Sequence, residues 1–117
     1  MSKATLTAVA AQMPDPAELA ALEASAAAAA RLMKLMSSEQ RLIILCRLGD
    51  GECSVGDLAQ HVGLAQSAAS QHLAKLRAEG VVGTRREGQT IFYRLTDPAA
   101  ARVIDTLCDI YRGKPAS

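Results

Sequence analysis

Five side chains that can read another molecule by hydrogen bonding stand together at the front of one helical stretch. They are Gln66, Ser67, Ser70, Gln71 and His72, in the segment AQSAASQHLAKLRAEG. A glutamine amide donates and accepts at once, which matches the adenine N6/N7 edge. Serine offers a short hydroxyl and histidine a ring nitrogen. The chemistry available is recognition rather than bond-making. Ala65, Ala68 and Ala69 interleave these residues, and the cations Lys75 and Arg77 come only further back. A mostly solvated helix has no use for that order, whereas a helix approaching another surface closely by its front end does. The DNA major groove, about 12 Å wide, admits one helix and is met by its N-terminal residues. On this reading Gln66 and Gln71 pair with adenine, and Ser67 and Ser70 bond bases or phosphates. His72 either contacts DNA or packs beside Leu73 and Leu76. Lys75 and Arg77 supply flanking charge.

A second cluster follows in TRREGQTIFYR, where Arg85 and Arg86 precede the turn Glu87-Gly88-Gln89 and Arg94 comes after it. A two-stranded ribbon with cations near its tip reaches an adjacent phosphate or minor groove. Other chemistries find no support. No carboxylates are paired at a spacing that suggests acid–base catalysis, and GDGECS lacks the Lys of a phosphate-binding loop. No enzyme is expected, and no cofactor. Cys46, Cys53 and Cys108 are expected as free thiols, with Cys53 exposed in a strand or loop, and His61 as a plain surface or boundary residue.

The 117 residues fit one domain. With 50% hydrophobic residues, 3% aromatics and no Trp, the core must be built from Ala, Leu, Ile and Val. That composition favours helices and leaves modest cores that dimerisation would supplement. Thirteen Lys and Arg against twelve Asp and Glu give a net charge of +1, so distribution matters more than the total. Lys75, Arg77, Arg85, Arg86 and Arg94 face only Glu79 and Glu87 in their stretch, whereas Asp50, Glu52 and Asp57 make the preceding segment acidic. No apolar run of about 18 residues implies a membrane span, and the N-terminus makes a poor signal peptide. A cytoplasmic protein is expected.

The elements that position these residues follow from periodicity and punctuation. Residues 1–14 read as a flexible tail and 15–113 as the folded domain. Pro16 opens an Ala-rich helix with Leu19, Leu22, Ala26, Ala29, Met33 and Met36 at helical spacing. Ser37 or Ser38 caps a second helix whose apolar run Leu42 to Leu45 marks the buried centre. Ser54, with Asp57 three positions on, starts a short helix that Gly63 stops, and the polar-fronted helix begins almost at once. Residues 54–79 thus form a helix-turn-helix, and 83–95 two strands of a wing. Asp97 or Thr96 caps a last helix from Pro98, with Val103, Ile104, Leu107, Cys108, Ile110 and Tyr111 along its apolar stripe. The expected fold is mainly α with a small β-wing, in the order α-α-α-α-β-β-α, dimeric through its first and last helices.

The stretches RLIILCRLGDGECSVGDLA, GLAQSAASQHLAKLRAEGVV and TRREGQTIFYRL resemble the ArsR/SmtB family of winged-helix repressors, over roughly residues 38 to 96. Within it they are most similar to the branch containing HlyU, NolR, SqrR and BigR. The resemblance implies a homodimer on double-stranded palindromic operator DNA, released when an inducer binds. The Cys-x-Cys of arsenic and cadmium sensors falls here on Ser54 and Gly56, and no His follows His72 to serve a zinc site on the last helix. No metal is expected. Persulfide-responsive relatives pair a cysteine on the second helix with one near the end of the last. Cys46 matches the first position, but the second falls on Arg112, with Cys108 one helical turn earlier, about 6 Å along the axis. The implied switch joins Cys46 and Cys108 by a disulfide or polysulfide, with a reactive sulfur species or an oxidant as inducer. Two alternatives stand beside it: a repressor of this family with neither thiol nor metal sensing, and a winged-helix adaptor that does not bind DNA.

Overall fold

The computed structural model describes residues 15–112. The tail expected over residues 1–14 lies outside the described residues. Helix α1 (Pro16–Leu35) begins in a reciprocal cap: Glu18 N donates to Asp15 Oδ1 at 2.8 Å and Asp15 N to Glu18 Oε2 at 3.2 Å. The chain divides into two compact units between Lys34 and Leu35, inside the span read from the sequence as one domain. Along α1 the side chains of Leu19, Leu22 and Met33 are exposed.

The second unit carries helix α2 (Glu39–Gly49), strand β1 (Cys53–Ser54), helices α3 (Val55–Val62) and α4 (Gln66–Ala78), strands β2 (Val82–Glu87) and β3 (Thr90–Leu95), and helix α5 (Pro98–Arg112). Ser38 caps α2 by accepting from Arg41 N, and Ser54 caps α3 by accepting from Asp57 N. Gly63 ends α3 at φ 71°, a left-handed conformation that favours glycine, and so sets the short turn into α4.

Core side chains converge from every element of this unit except β3. Ile44, Leu45, Leu58, Ala69, Leu73, Leu76 and Ala100 are fully buried, and Val81, Val82 and Ile104 almost so. α2 is its centre as expected, although Ile43 is half exposed, so the apolar run is not buried all round. Two features depart from the sequence reading. A third strand, β1, adds to the wing in the antiparallel order β1-β3-β2, with Cys53 opposite Tyr93. Cys53 is accordingly buried, at 3% exposure, rather than exposed, because strand pairing turns it into the core.

Candidate nucleic-acid interface and thiol cavity

Helix α4 sorts its residues cleanly. Ala69, Leu73 and Leu76 are buried, at i, i+4 and i+7, and anchor one face. The opposite face carries Ser67, Gln71, Ala74, Lys75 and Ala78, all exposed, with Gln66, Ser70 and Arg77 exposed along its flank. The first turn holds no acidic residue, and Ala65 at the cap makes no side-chain hydrogen bond. The leading N–H groups therefore carry the positive end of the helix dipole with no carboxylate to offset it. Small polar side chains, a bare N-terminus and rearward cations all lie on the exposed side of a helix pinned from behind by three apolar anchors.

His72 sits at the boundary of that face, half-buried, and its Nε2 lies 2.9 Å from Gln40 Oε1 on α2. The ring thus ties the candidate recognition helix to α2. His61 on α3 accepts at Nδ1 from Arg47 Nε at 3.2 Å, a second link to α2. His61 is exposed, as expected for a surface residue, while His72 is half-buried.

The wing does not present its three arginines together. β2 and β3 pair with Arg85 opposite Phe92, Arg86 opposite Ile91 and Gly83 opposite Arg94. Successive strand residues point to opposite faces, so Arg85 and Arg94 share one face and Arg86 lies on the other. Arg85 is engaged: Nε donates to both Glu52 oxygens at 2.8 and 2.9 Å, Nη2 also donates to Glu52, and Nη1 donates to Glu87 Oε2 at 2.8 Å. Its guanidinium lies 4.6 Å from the centre of the Phe92 ring. These hydrogen bonds hold Arg85 above its ordinary pKa, and the one from Arg85 holds Glu52 below its own. Arg94 pairs with Gly83, at the end of the ribbon away from its turn, and lines a cavity.

That cavity, about 690 Å³, lies between α2, the loop after it, β3 and α5, and both thiols open into it. Cys46 and Cys108 are half-buried free cysteines that line it together, near enough for Cys108 to act on the Cys46 thiol. The two were expected on packed helices, and the structure brings them together although Cys108 stands one turn from the position the resemblance implied. Burial first, then the Cys108 hydrogen bond, pushes the Cys46 thiol up to about 11. Burial likewise pushes up the Cys53 thiol, which lies apart from the pair. Arg112 stands at the mouth, donating to the Cys46 carbonyl and to both Asp50 oxygens, each at 3.5 Å. Among the described residues no group of three or more His, Cys, Asp or Glu side chains is placed to hold a metal ion. Nor is any helix there long and apolar enough to cross a membrane.

Sequence reasoning missed Gln40, Glu52 and Arg112. The acidic charge of Glu52 was visible, but its partner lies 33 residues away and only β1–β3 pairing brings them together.

The family model for the bacterial regulatory proteins of the arsR family matches residues 38–84, which takes in α2, the helix-turn-helix and the start of β2. The transcriptional activator HlyU of Vibrio cholerae is 47% identical over 96 residues, covering 82% of this chain and 89% of that protein. The solved structure of reduced HlyU from Vibrio cholerae superposes with a TM-score of 0.74 at 48% identity, covering 77% of this chain and 95% of that one. The transcriptional repressor BigR from Xylella fastidiosa gives 0.72 at 41%, covering 82% and 95%. With an exposed polar face on α4, a paired wing and relatives matched over most of their length, the chain belongs to the arsR family of bacterial regulatory proteins, DNA-binding transcriptional regulators of winged helix-turn-helix fold rather than enzymes.

Proposed function

We propose that the protein is a dimeric repressor of a palindromic operator, read by the exposed face of α4 and released when Cys46 and Cys108 are joined. The observation that carries the DNA reading is the exposed polar face of α4. Gln71 and Ser67 lie at its centre, Gln66 and Ser70 beside it, and Lys75 and Arg77 where they flank rather than read bases. Arg86, exposed on the wing face opposite Arg85, meets the phosphate backbone. Large apolar side chains left exposed on α1 and on α5, Ile110 and Tyr111 among them, support dimerisation through these helices. A dimer sets two recognition helices about 34–36 Å apart, one turn of DNA.

The thiol pair supports the sensing step. A persulfide RS–SH gives its outer sulfur to the Cys46 thiolate, forming Cys46–S–SH and releasing RSH. The Cys108 thiolate then attacks the inner sulfur, closes Cys46–S–S–Cys108 and expels hydrogen sulfide. The transferred sulfur is the oxidant, and two cysteine thiols are oxidised. The bond ties α5 to α2, the helix hydrogen-bonded to α3 through Arg47 and to α4 through Gln40.

The test is to select an operator from random duplexes with reduced protein, then measure affinity before and after a persulfide donor, with intact mass as readout. Loss of binding with a Cys46–Cys108 link supports the full reading. Unchanged binding by a protein whose link is confirmed leaves a repressor of this family without thiol sensing. Absence of salt-dependent DNA binding leaves a winged-helix adaptor.

A further inference from the structure

Arg85 is the most heavily engaged cation among the described residues of the wing. Glu52 approaches it from the loop between α2 and β1, and Glu87 from its own strand. Phe92 on β3 stacks beneath it. A guanidinium that already meets two carboxylates has spent its fork and its charge. For Arg85 to bond a phosphate it must first give up Glu52, which has the same bidentate acceptor geometry that a phosphate offers. The cluster is exposed, with Arg85 at 42%, Glu52 at 34% and Glu87 at 70% side-chain exposure, so backbone phosphates can reach it. Glu52 is also within the field of Arg94, so its charge bears on both cations of this wing face. Arg86, one residue on, points the other way.

We infer that Glu52 is a positioning residue for DNA binding. It occupies Arg85 in place of a phosphate and thereby decides that the wing meets DNA through Arg86 alone. A carboxylate in this place costs affinity for every duplex alike, since phosphate contacts carry no sequence information. The consequence is selectivity. The wing contributes less non-specific binding than its three arginines imply, and discrimination rests on α4. This inference depends on the DNA-binding reading above.

The experiment is fluorescence anisotropy with the full chain on a random-sequence duplex and on the selected operator, over a range of salt concentrations. The parent is compared with Glu52→Gln, Arg85→Gln, the double variant and Arg86→Gln, with folding of each followed by urea denaturation. Each phosphate contact contributes a slope of about 0.9 in log K against log salt. Glu52→Gln is expected to steepen the slope by about that amount and to tighten random-duplex binding about eightfold at about 0.1 M salt. Arg85→Gln alone is expected to leave the slope unchanged, and in the double variant the slope returns to the parent's. A lower slope for Arg85→Gln alone shows that Arg85 already holds a phosphate and overturns the inference. So does a Glu52→Gln slope equal to the parent's. If the parent shows no salt-dependent binding, the DNA reading itself fails and this inference with it. If Arg86→Gln lowers the parent slope while the other two single variants match the parent, the DNA reading stands and the role of Glu52 does not.

Discussion

At Cys46, burial and the Cys108 hydrogen bond keep the sulfur protonated, with a pKa pushed up to about 11. The thiolate is the nucleophile, so at neutral pH only a small fraction reacts. Alkylation of Cys46 by iodoacetamide, followed by peptide mass spectrometry, is expected to rise about tenfold per pH unit from pH 7 and to level only near pH 11. A plateau near the ordinary value of 9.0 contradicts this. The same proton enters stability. The folded state keeps it above the ordinary value, so its contribution is complete below about pH 9 and is lost as pH rises towards 11. The urea midpoint should fall across that window, and less so in a Cys46→Ser variant. Residue types and the expected packing of their helices pointed to this pair, although Cys108 stands one turn from the position the family resemblance implied.

Among the elements, caps and stops were legible because they are local. Ser38, Ser54 and Gly63 do what their types and spacing imply. The helix-turn-helix followed from them, and α4 showed its anchors at helical period. β1 was not legible, since two residues carry no period and the strand exists only by pairing with β3 across some forty residues. Burial of Cys53 and the Glu52–Arg85 contact both follow from that one pairing. The grouping of Arg85, Arg86 and Arg94 failed for a different reason: strand alternation divides them between two faces. Two stability changes test the turn and the anchor separately. Gly63→Ala meets no atom within 4 Å, so its cost is backbone strain alone at φ 71°, about 1–2 kcal/mol. Leu73→Ala empties a fully buried site and is expected to cost about 2–5 kcal/mol. Urea midpoints read both, and a neutral Leu73→Ala would mean that α4 is not anchored through this face.

For the whole molecule, the proposed function requires two copies. A single recognition helix reads one half-site, and the apolar residues left exposed on α5 are available to hold a second chain. Ile110, at 63% exposure, tests this. Ile110→Glu is expected to shift sedimentation from dimer to monomer and to weaken operator binding at least tenfold, with little effect on the fold of either chain. A dimer unaffected by this charge places the interface elsewhere.

The most direct test of DNA reading by α4 is the operator motif that Gln71→Ala selects from random duplexes, set beside the parent's motif. A lost base preference at one position per half-site, with affinity for the parent operator lower by about 1–3 kcal/mol, is the expected result. An identical motif bound with equal affinity would show that Gln71, at the centre of the exposed face, reads nothing.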